Sequence, residues 1–332
     1  MRHLSYTASA PFEAARRDAG GWRGHAFELQ ARAAAGEAGD AEALAQRCAA
    51  AVAPLDGSLL NEAVEPPDDP ALATALHRRL AADGVAAERI ALRSAPDRGA
   101  VLPAGGAPRR WRGFRFEAAH RLPQVPAGHP CARMHGHSYR VVLEAEATDA
   151  ALHALWAAVE PRLRYSCLND LLANPTSEHL AGWLWAQLRP REPGLRRVHV
   201  HETERSACTY DGERYTIWKA EGFEAAVRVP GAGDERSRLH GHGYRLRLHA
   251  AAPLDPRLGW VVDYGDLKAA FAPVRERLDH HRLDEIDGLA DGDPGTLAAW
   301  IAAAVGERLP QLSRIDLLER DGCGAVAYPG AP

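Results

Sequence analysis

The chain has 332 residues, 46% of them hydrophobic and 25% charged, with a formal net charge of −4. That is a globular composition long enough for two or more domains, and its mild negative charge argues against a general nucleic-acid binder. Five cysteines without a close pairing pattern fit a reducing compartment, and neither a signal-peptide core within residues 1–21 nor an apolar run of membrane-span length is present, so a cytoplasmic, membrane-free protein is expected.

Self-comparison organises the chain. Phe12-Glu-Ala-Ala15, Phe116-Glu-Ala-Ala119 and Phe223-Glu-Ala-Ala226 recur at intervals of about 105 residues, which indicates repeated domains and not a short-period solenoid. The first unit, 1–106, carries Arg23-Gly-His25-Ala-Phe27 and Pro54 to Asn61, and a Pro- and Gly-rich stretch at Pro103–Pro108 ends it. The middle unit, 107–219, carries His135-Gly-His137-Ser-Tyr139, a period-two strand over Tyr139–Glu146, and a helix over Ser177–Leu188 started by Pro-Thr-Ser. A second boundary is expected near Trp218–Gly222. The third unit, 220–332, repeats the pattern with His240-Gly-His242-Gly-Tyr244, a strand over Tyr244–Ala250, and helices over Asp266–Arg277 and Thr296–Leu309. Strands gathered into a sheet with helices covering one face give an α+β fold.

The chemistry concentrates in the middle unit. His135 and His137 stand two apart, so on a strand both imidazoles leave the same face, and His120 joins them from the partner strand of a hairpin. Three neutral nitrogens without a fourth protein ligand are the arrangement of a catalytic zinc that keeps one position open. Cys131 lies four residues ahead, where a metal and histidines would depress its pKa. Cys48, Cys167, Cys208 and Cys323 read as buried or incidental thiols.

Phe116 to Pro123, Val125 to Ser138, Pro175-Thr-Ser-Glu178 and Glu202-Thr203 resemble the 6-pyruvoyltetrahydropterin synthase family. The three residues between Cys131 and His-Gly-His are similar to its 6-carboxy-5,6,7,8-tetrahydropterin synthase branch. Gly259 to Lys268 and Leu278-Asp279-His280 carry the resemblance into the third unit, and the first unit matches only in outline. The resemblance implies the tunnelling fold: each unit a four-stranded antiparallel sheet backed by two helices, three units forming a pseudo-trimeric barrel, and two such chains stacking as a homodimer. It further implies a zinc-dependent lyase that converts the small-molecule substrate 7,8-dihydroneopterin triphosphate to 6-carboxy-5,6,7,8-tetrahydropterin, releasing acetaldehyde and triphosphate, in the queuosine pathway. Triphosphate elimination of the pyruvoyl type and a non-catalytic pterin-binding protein are the alternatives.

In these terms His120, His135 and His137 hold Zn2+, and Cys131, Asp279 and His280 are catalytic. Glu202 anchors the pterin with help from Thr203, and Arg121 and Arg133 offer charge to the triphosphate. The repeats depart from the family pattern in complementary ways. The middle unit has Arg164-Tyr165 where Asp-His should stand, while the third unit supplies Asp279-His280 but has Val227 for the first zinc histidine and Arg236 for the thiol. The first unit has Arg16 and Arg23 for two zinc histidines, Gly57 after Asp56, and Arg93 at the anchor position. One working site per chain is therefore expected, with a structural first unit and His240-Gly-His242 a relic of duplication.

Overall fold

A computed structural model describes residues 3–18 and 21–329. The first repeat contains β1 (Leu4–Asp18), β2 (Gly21–Ala34), β3 (Ser58–Leu59), β4 (Ala87–Ala95) and β5 (Arg98–Pro103), with α1 (Ala35–Ala38), α2 (Ala41–Val52) and α3 (Asp69–Ala82). The middle repeat contains β6 (Arg109–His120), β7 (His135–Ala145), β8 (Ser166–Cys167), β9 (Leu195–Thr203) and β10 (Ser206–Tyr210), with α4 (Asp149–Ala157) and α5 (Ser177–Leu188). The third contains β11 (Tyr215–Val227), β12 (His240–Ala251), β13 (Leu312–Arg320) and β14 (Cys323–Ala327), with α6 (Tyr264–Leu278) and α7 (Pro294–Gly306). Four principal strands and two principal helices per repeat make the tunnelling fold.

Local chemistry sets these elements. Asp40, Asp68, Thr148, Thr176 and Asp293 each accept a first-turn N–H with their side chains and so start α2, α3, α4, α5 and α7. The helices bury one apolar stripe, such as Leu72, Leu76 and Leu80 of α3 or Leu180, Leu184 and Leu188 of α5. Alternate strand residues such as Leu29, Ala31 and Ala33 of β2 are buried in turn.

The chain forms two compact units that cut across the three repeats: Met1–Pro108 with Ala220–Leu248 and Lys268–Pro332, and Arg109–Lys219 with His249–Leu267. In the first unit the strand order is β5-β4-β2-β1-β14-β13-β12-β11, and antiparallel β1–β14 pairing, from Leu4↔Ala327 to Thr7↔Gly324, joins the first and third repeats. In the second unit the order is β6-β7-β9-β10, extended by the first residues of β11. The compact units divide between Lys219 and Ala220, within the stretch Trp218–Gly222 expected as a boundary, and this point lies inside the strand β11, whose opening residues pair with β10.

A segment of the third repeat completes the second unit. Asn174 Nδ2 donates to the Leu258 carbonyl at 2.7 Å, Thr176 Oγ1 donates to the Gly259 carbonyl at 2.8 Å, and Val261 N–H donates to Glu178 Oε1 at 3.0 Å. Gly259 sits at φ 71°, and a Cβ there would strike the His179 ring, so the close approach requires glycine.

Candidate metal centre and active site

The β6–β7 hairpin pairs His120 directly with His135, and the strand period brings His137 to the same face. Ligand atoms of His120, His135, His137 and Glu202 all lie within 4.8 Å of one another. His120 Nδ1 is 3.0 Å from the Pro175 carbonyl and His135 Nδ1 is 2.8 Å from the Arg133 carbonyl. A carbonyl can only accept, so both Nδ1 atoms carry the proton and both Nε2 atoms of the neutral rings present lone pairs. Those two Nε2 atoms are 3.1 Å apart. Two lone pairs face each other there, a repulsive arrangement unless a cation lies between them. His137 Nε2 is buried without a hydrogen-bond partner among the described residues. The donor set fits a metal ion, with the Pro175 and Arg133 carbonyls already fixing the tautomers of His120 and His135.

Glu202, from β9, brings Oε1 to 3.2 Å from His120 Nε2 and 3.3 Å from His137 Nε2. Burial pushes its carboxyl up, whereas His120 and His137, if they carry protons on Nε2, draw it down to about 2; a cation held by the Nε2 lone pairs would take the place of those protons. The carboxylate thus stands beside the three imidazoles, where it could face a cation or anchor a ligand.

Cys131 occupies a short 3-10 turn, with its carbonyl accepting Leu122 N–H at 2.8 Å and its N–H donating to His129 Nδ1 at 3.2 Å. The protein's own groups push the thiol up, burial first and then Glu202 and Asp263. The depression expected at Cys131 would therefore require the charge of a cation held by the three imidazoles.

Sequence reasoning missed His129 and Asp263. His129 Nε2 donates to Asp263 Oδ2 at 2.8 Å across 134 residues of sequence, leaving Nδ1 as the acceptor that holds Cys131. Asp263 Oδ1 accepts Gly265 N–H at the start of α6, which fixes the carboxylate. The available signal was a histidine two residues before the thiol and an aspartate in the segment whose family likeness was recognised. Tyr139 adds a buried hydroxyl with no partner among the described residues, its ring stacked on Phe116 at 4.9 Å and edge-on to His137 at 5.5 Å.

The other expected site residues are placed differently. Arg121 and Arg133 are exposed, and Arg133 meets the cluster through its carbonyl. The Thr203 hydroxyl is 2.7 Å from Ser206 Oγ and accepts Arg205 N–H, closing the β9–β10 turn. Asp279 and His280 belong to the other compact unit. There Asp279 Oδ1 accepts Glu224 N–H at 2.9 Å and lies 3.3 Å from His280 Nδ1, which is itself on a side chain 79% exposed. His280 has φ 62°, in the left-handed region that is costly for a non-glycine residue.

A family model described as 6-pyruvoyl tetrahydropterin synthase matches residues 110–213 and again residues 216–329. The chain belongs to that family. It is accordingly an enzyme of the lyase class. A 6-carboxy-5,6,7,8-tetrahydropterin synthase from Synechocystis sp. is 35% identical over 111 residues, 32% of this chain and 86% of that protein. A dihydroneopterin monophosphate aldolase from Pyrococcus furiosus is 30% identical over 111 residues, 32% of this chain and 91% of that protein. The solved 6-pyruvoyl tetrahydropterin synthase of Caenorhabditis elegans is 19% identical with a TM-score of 0.32, covering 35% of this chain and 95% of that one.

The first repeat shows what replaces a family site. Arg16↔Arg23 pairing mirrors His120↔His135, so Arg16 stands at the first histidine position. Pairing of Glu28 with Arg93 mirrors that of Arg140 with His201, which places Ser94, not Arg93, opposite the Glu202 position and corrects the anchor assignment by one residue. Arg93 is exposed and pairs with Glu28 at 2.6 Å. Arg16 Nη1 instead meets Asp69 at 2.6 Å, Ser94 Oγ donates to the other Asp69 oxygen at 2.6 Å, and all three side chains are buried. A closed ion-pair network fills the place of the metal centre. Among the described residues no helix is long and apolar enough to cross a membrane.

Proposed function

We propose that the chain is a zinc-dependent pterin lyase that takes 7,8-dihydroneopterin triphosphate to 6-carboxy-5,6,7,8-tetrahydropterin, with uptake of water and loss of acetaldehyde and triphosphate. The observation that carries this reading is the convergence of His120, His135 and His137, whose ligand atoms lie with that of Glu202 within 4.8 Å of one another, the Nδ1 contacts of His120 and His135 leaving their Nε2 lone pairs free for a metal. The 35% identical synthase and the three-residue gap between thiol and His-Gly-His support the carboxy product. Zinc held by the three imidazoles would supply Lewis acidity to the substrate's side-chain oxygens.

The remaining roles follow from this chain's own groups. Cys131 takes a proton from the substrate side chain, held in place by the His129 and Leu122 backbone contacts. Glu202 turns its carboxylate to the paired N–H donors of the pterin ring, a bidentate match that fixes orientation. The unpartnered Tyr139 hydroxyl offers the bound molecule a further hydrogen bond. Asp279 orients His280 as a second acid–base pair, and Arg121 and Arg133 lend charge to the triphosphate. The working unit is a homodimer of such chains in the cytoplasm.

Incubation with 7,8-dihydroneopterin triphosphate and mass identification of products tests this reading. The carboxy-tetrahydropterin with acetaldehyde is expected, and Cys131→Ala abolishes it. A pyruvoyl product assigns simple triphosphate elimination instead, and no turnover with zinc bound refutes the lyase assignment. Glu202→Gln separates anchor from ligand: zinc content stays at one equivalent while KM rises, whereas loss of zinc would make Glu202 a metal ligand.

A further inference from the structure

The third repeat contains a cavity of about 390 Å3 whose lining residues all belong to one compact unit. It sits at the position that the metal centre occupies in the middle repeat. β13 and β9 are both nine residues long with the same alternation of buried and half-buried positions, so Glu319 occupies the place of Glu202. The His240 and His242 rings lie 5.0 Å apart at 86°, the same values as for His135 and His137. His240 Nδ1 again donates to a carbonyl, that of Arg238, at 2.8 Å.

Two substitutions alter the chemistry. Val227 stands where the first zinc histidine would be and offers no donor atom. Among the described residues, His240, His242 and Glu319 do not bring their ligand atoms together as the middle repeat does. Glu319 has therefore lost the imidazole that faces Glu202, and no group among the described residues hydrogen-bonds its half-buried carboxylate. Burial pushes that carboxyl up, helped by Asp293 and opposed by the charges of Arg320, Arg236 and His240. At the thiol position Arg236 is fixed by Asp234 at 2.9 Å and Asp40 at 3.4 Å, and Arg238 stands 75% exposed at the rim.

We propose that this cavity is a metal-free binding site for a planar amino-substituted N-heterocycle, whose paired N–H donors meet Glu319 and whose anionic substituent meets Arg238. A carboxylate accepts an adjacent N–H and NH2 in bidentate fashion, and apolar Val227 and Val229 cover the ring faces. The choice of ring class rests on the pterin reading of the middle repeat; the cavity and the unpartnered carboxylate do not.

Equilibrium dialysis of neopterin triphosphate, an aromatic pterin, against the full zinc-loaded chain tests the proposal. Two bound equivalents are expected for the parent, and Glu319→Gln weakens one of them at least tenfold while Glu202→Gln weakens the other. Arg238→Ala, a surface change that leaves the core intact, weakens the same equivalent as Glu319→Gln several-fold. One equivalent or none in the parent, or two that Glu319→Gln leaves unaltered, overturns the site. A second zinc equivalent lost on His240→Ala overturns its metal-free character. Turnover of the parent, measured separately, tests the lyase reading, so either idea can fail while the other stands.

Discussion

Glu178 gives a prediction with a definite sign. It is 2% exposed, accepts Val261 N–H at 3.0 Å and Ser177 Oγ–H at 2.9 Å, and burial pushes its carboxyl up to about 7 against the opposing effect of those hydrogen bonds. In the unfolded chain a glutamate titrates near 4.3, so between roughly pH 4.3 and 7 the folded protein keeps a proton that the unfolded chain releases. Stability therefore falls as pH rises through that window, by about 1.4 kcal/mol per unit, and the loss is complete above the folded pKa. Glu178→Gln retains an acceptor for Val261 and cannot ionise. It is expected to match the parent near pH 4 and to exceed it by roughly 3 kcal/mol at pH 8. Urea unfolding of both proteins in chelator, followed by tryptophan fluorescence from pH 4 to 8, measures the difference without changes in metal occupancy. A difference that stays constant across that range would refute the claim that burial holds Glu178 protonated.

Three further predictions concern the metal and two side-chain networks, one half-buried and one buried. Metal analysis is expected to return about one zinc per chain, with His120→Ala or His137→Ala losing it; about three per chain would mean that the other repeats also bind metal. His129→Ala and Asp263→Asn should each lower kcat about 10- to 100-fold with zinc content unchanged, because a loosened Cys131 turn misplaces the thiol; equal activity would remove the pair from catalysis. Asp69→Ala leaves Arg16 buried and uncompensated and should cost about 3–5 kcal/mol, read as a lowered urea midpoint, whereas replacing both by apolar residues of similar volume should restore most of it.

The legible parts of this molecule are those governed by short sequence periods. His135 and His137 share a face because a strand repeats every two residues, and α5 starts where Thr176 supplies a cap, so both follow from local chemistry. Three copies of Phe-Glu-Ala-Ala announce the repeats for the same reason. What sequence hides is pairing register and long-range contact. Arg93 and Ser94 are neighbours on opposite faces of β4, and only the pairing of Glu28 with Arg93 decides which of them points to the Glu202 position. The His129–Asp263 pair spans 134 residues, beyond any local pattern. Trp218–Gly222 looks like a junction because the repeat restarts there, and the compact units do divide between Lys219 and Ala220, but sequence does not show that the division falls inside a single strand.

The contacts made by Leu258, Gly259 and Val261 also bear on the order in which the protein can be made. On the ribosome, residues 109–219 emerge as a repeat with its own strands and helices, but Asn174, Thr176 and Glu178 then still await partners from a stretch about forty residues downstream. The middle repeat can settle only after synthesis has passed α6's first turn, and a protein cut after residue 219 would leave those polar groups without the partners that Leu258, Gly259 and Val261 supply. Nascent-chain proteolysis should accordingly show protection of α5 arriving late, in step with Tyr264 and not with the end of β10.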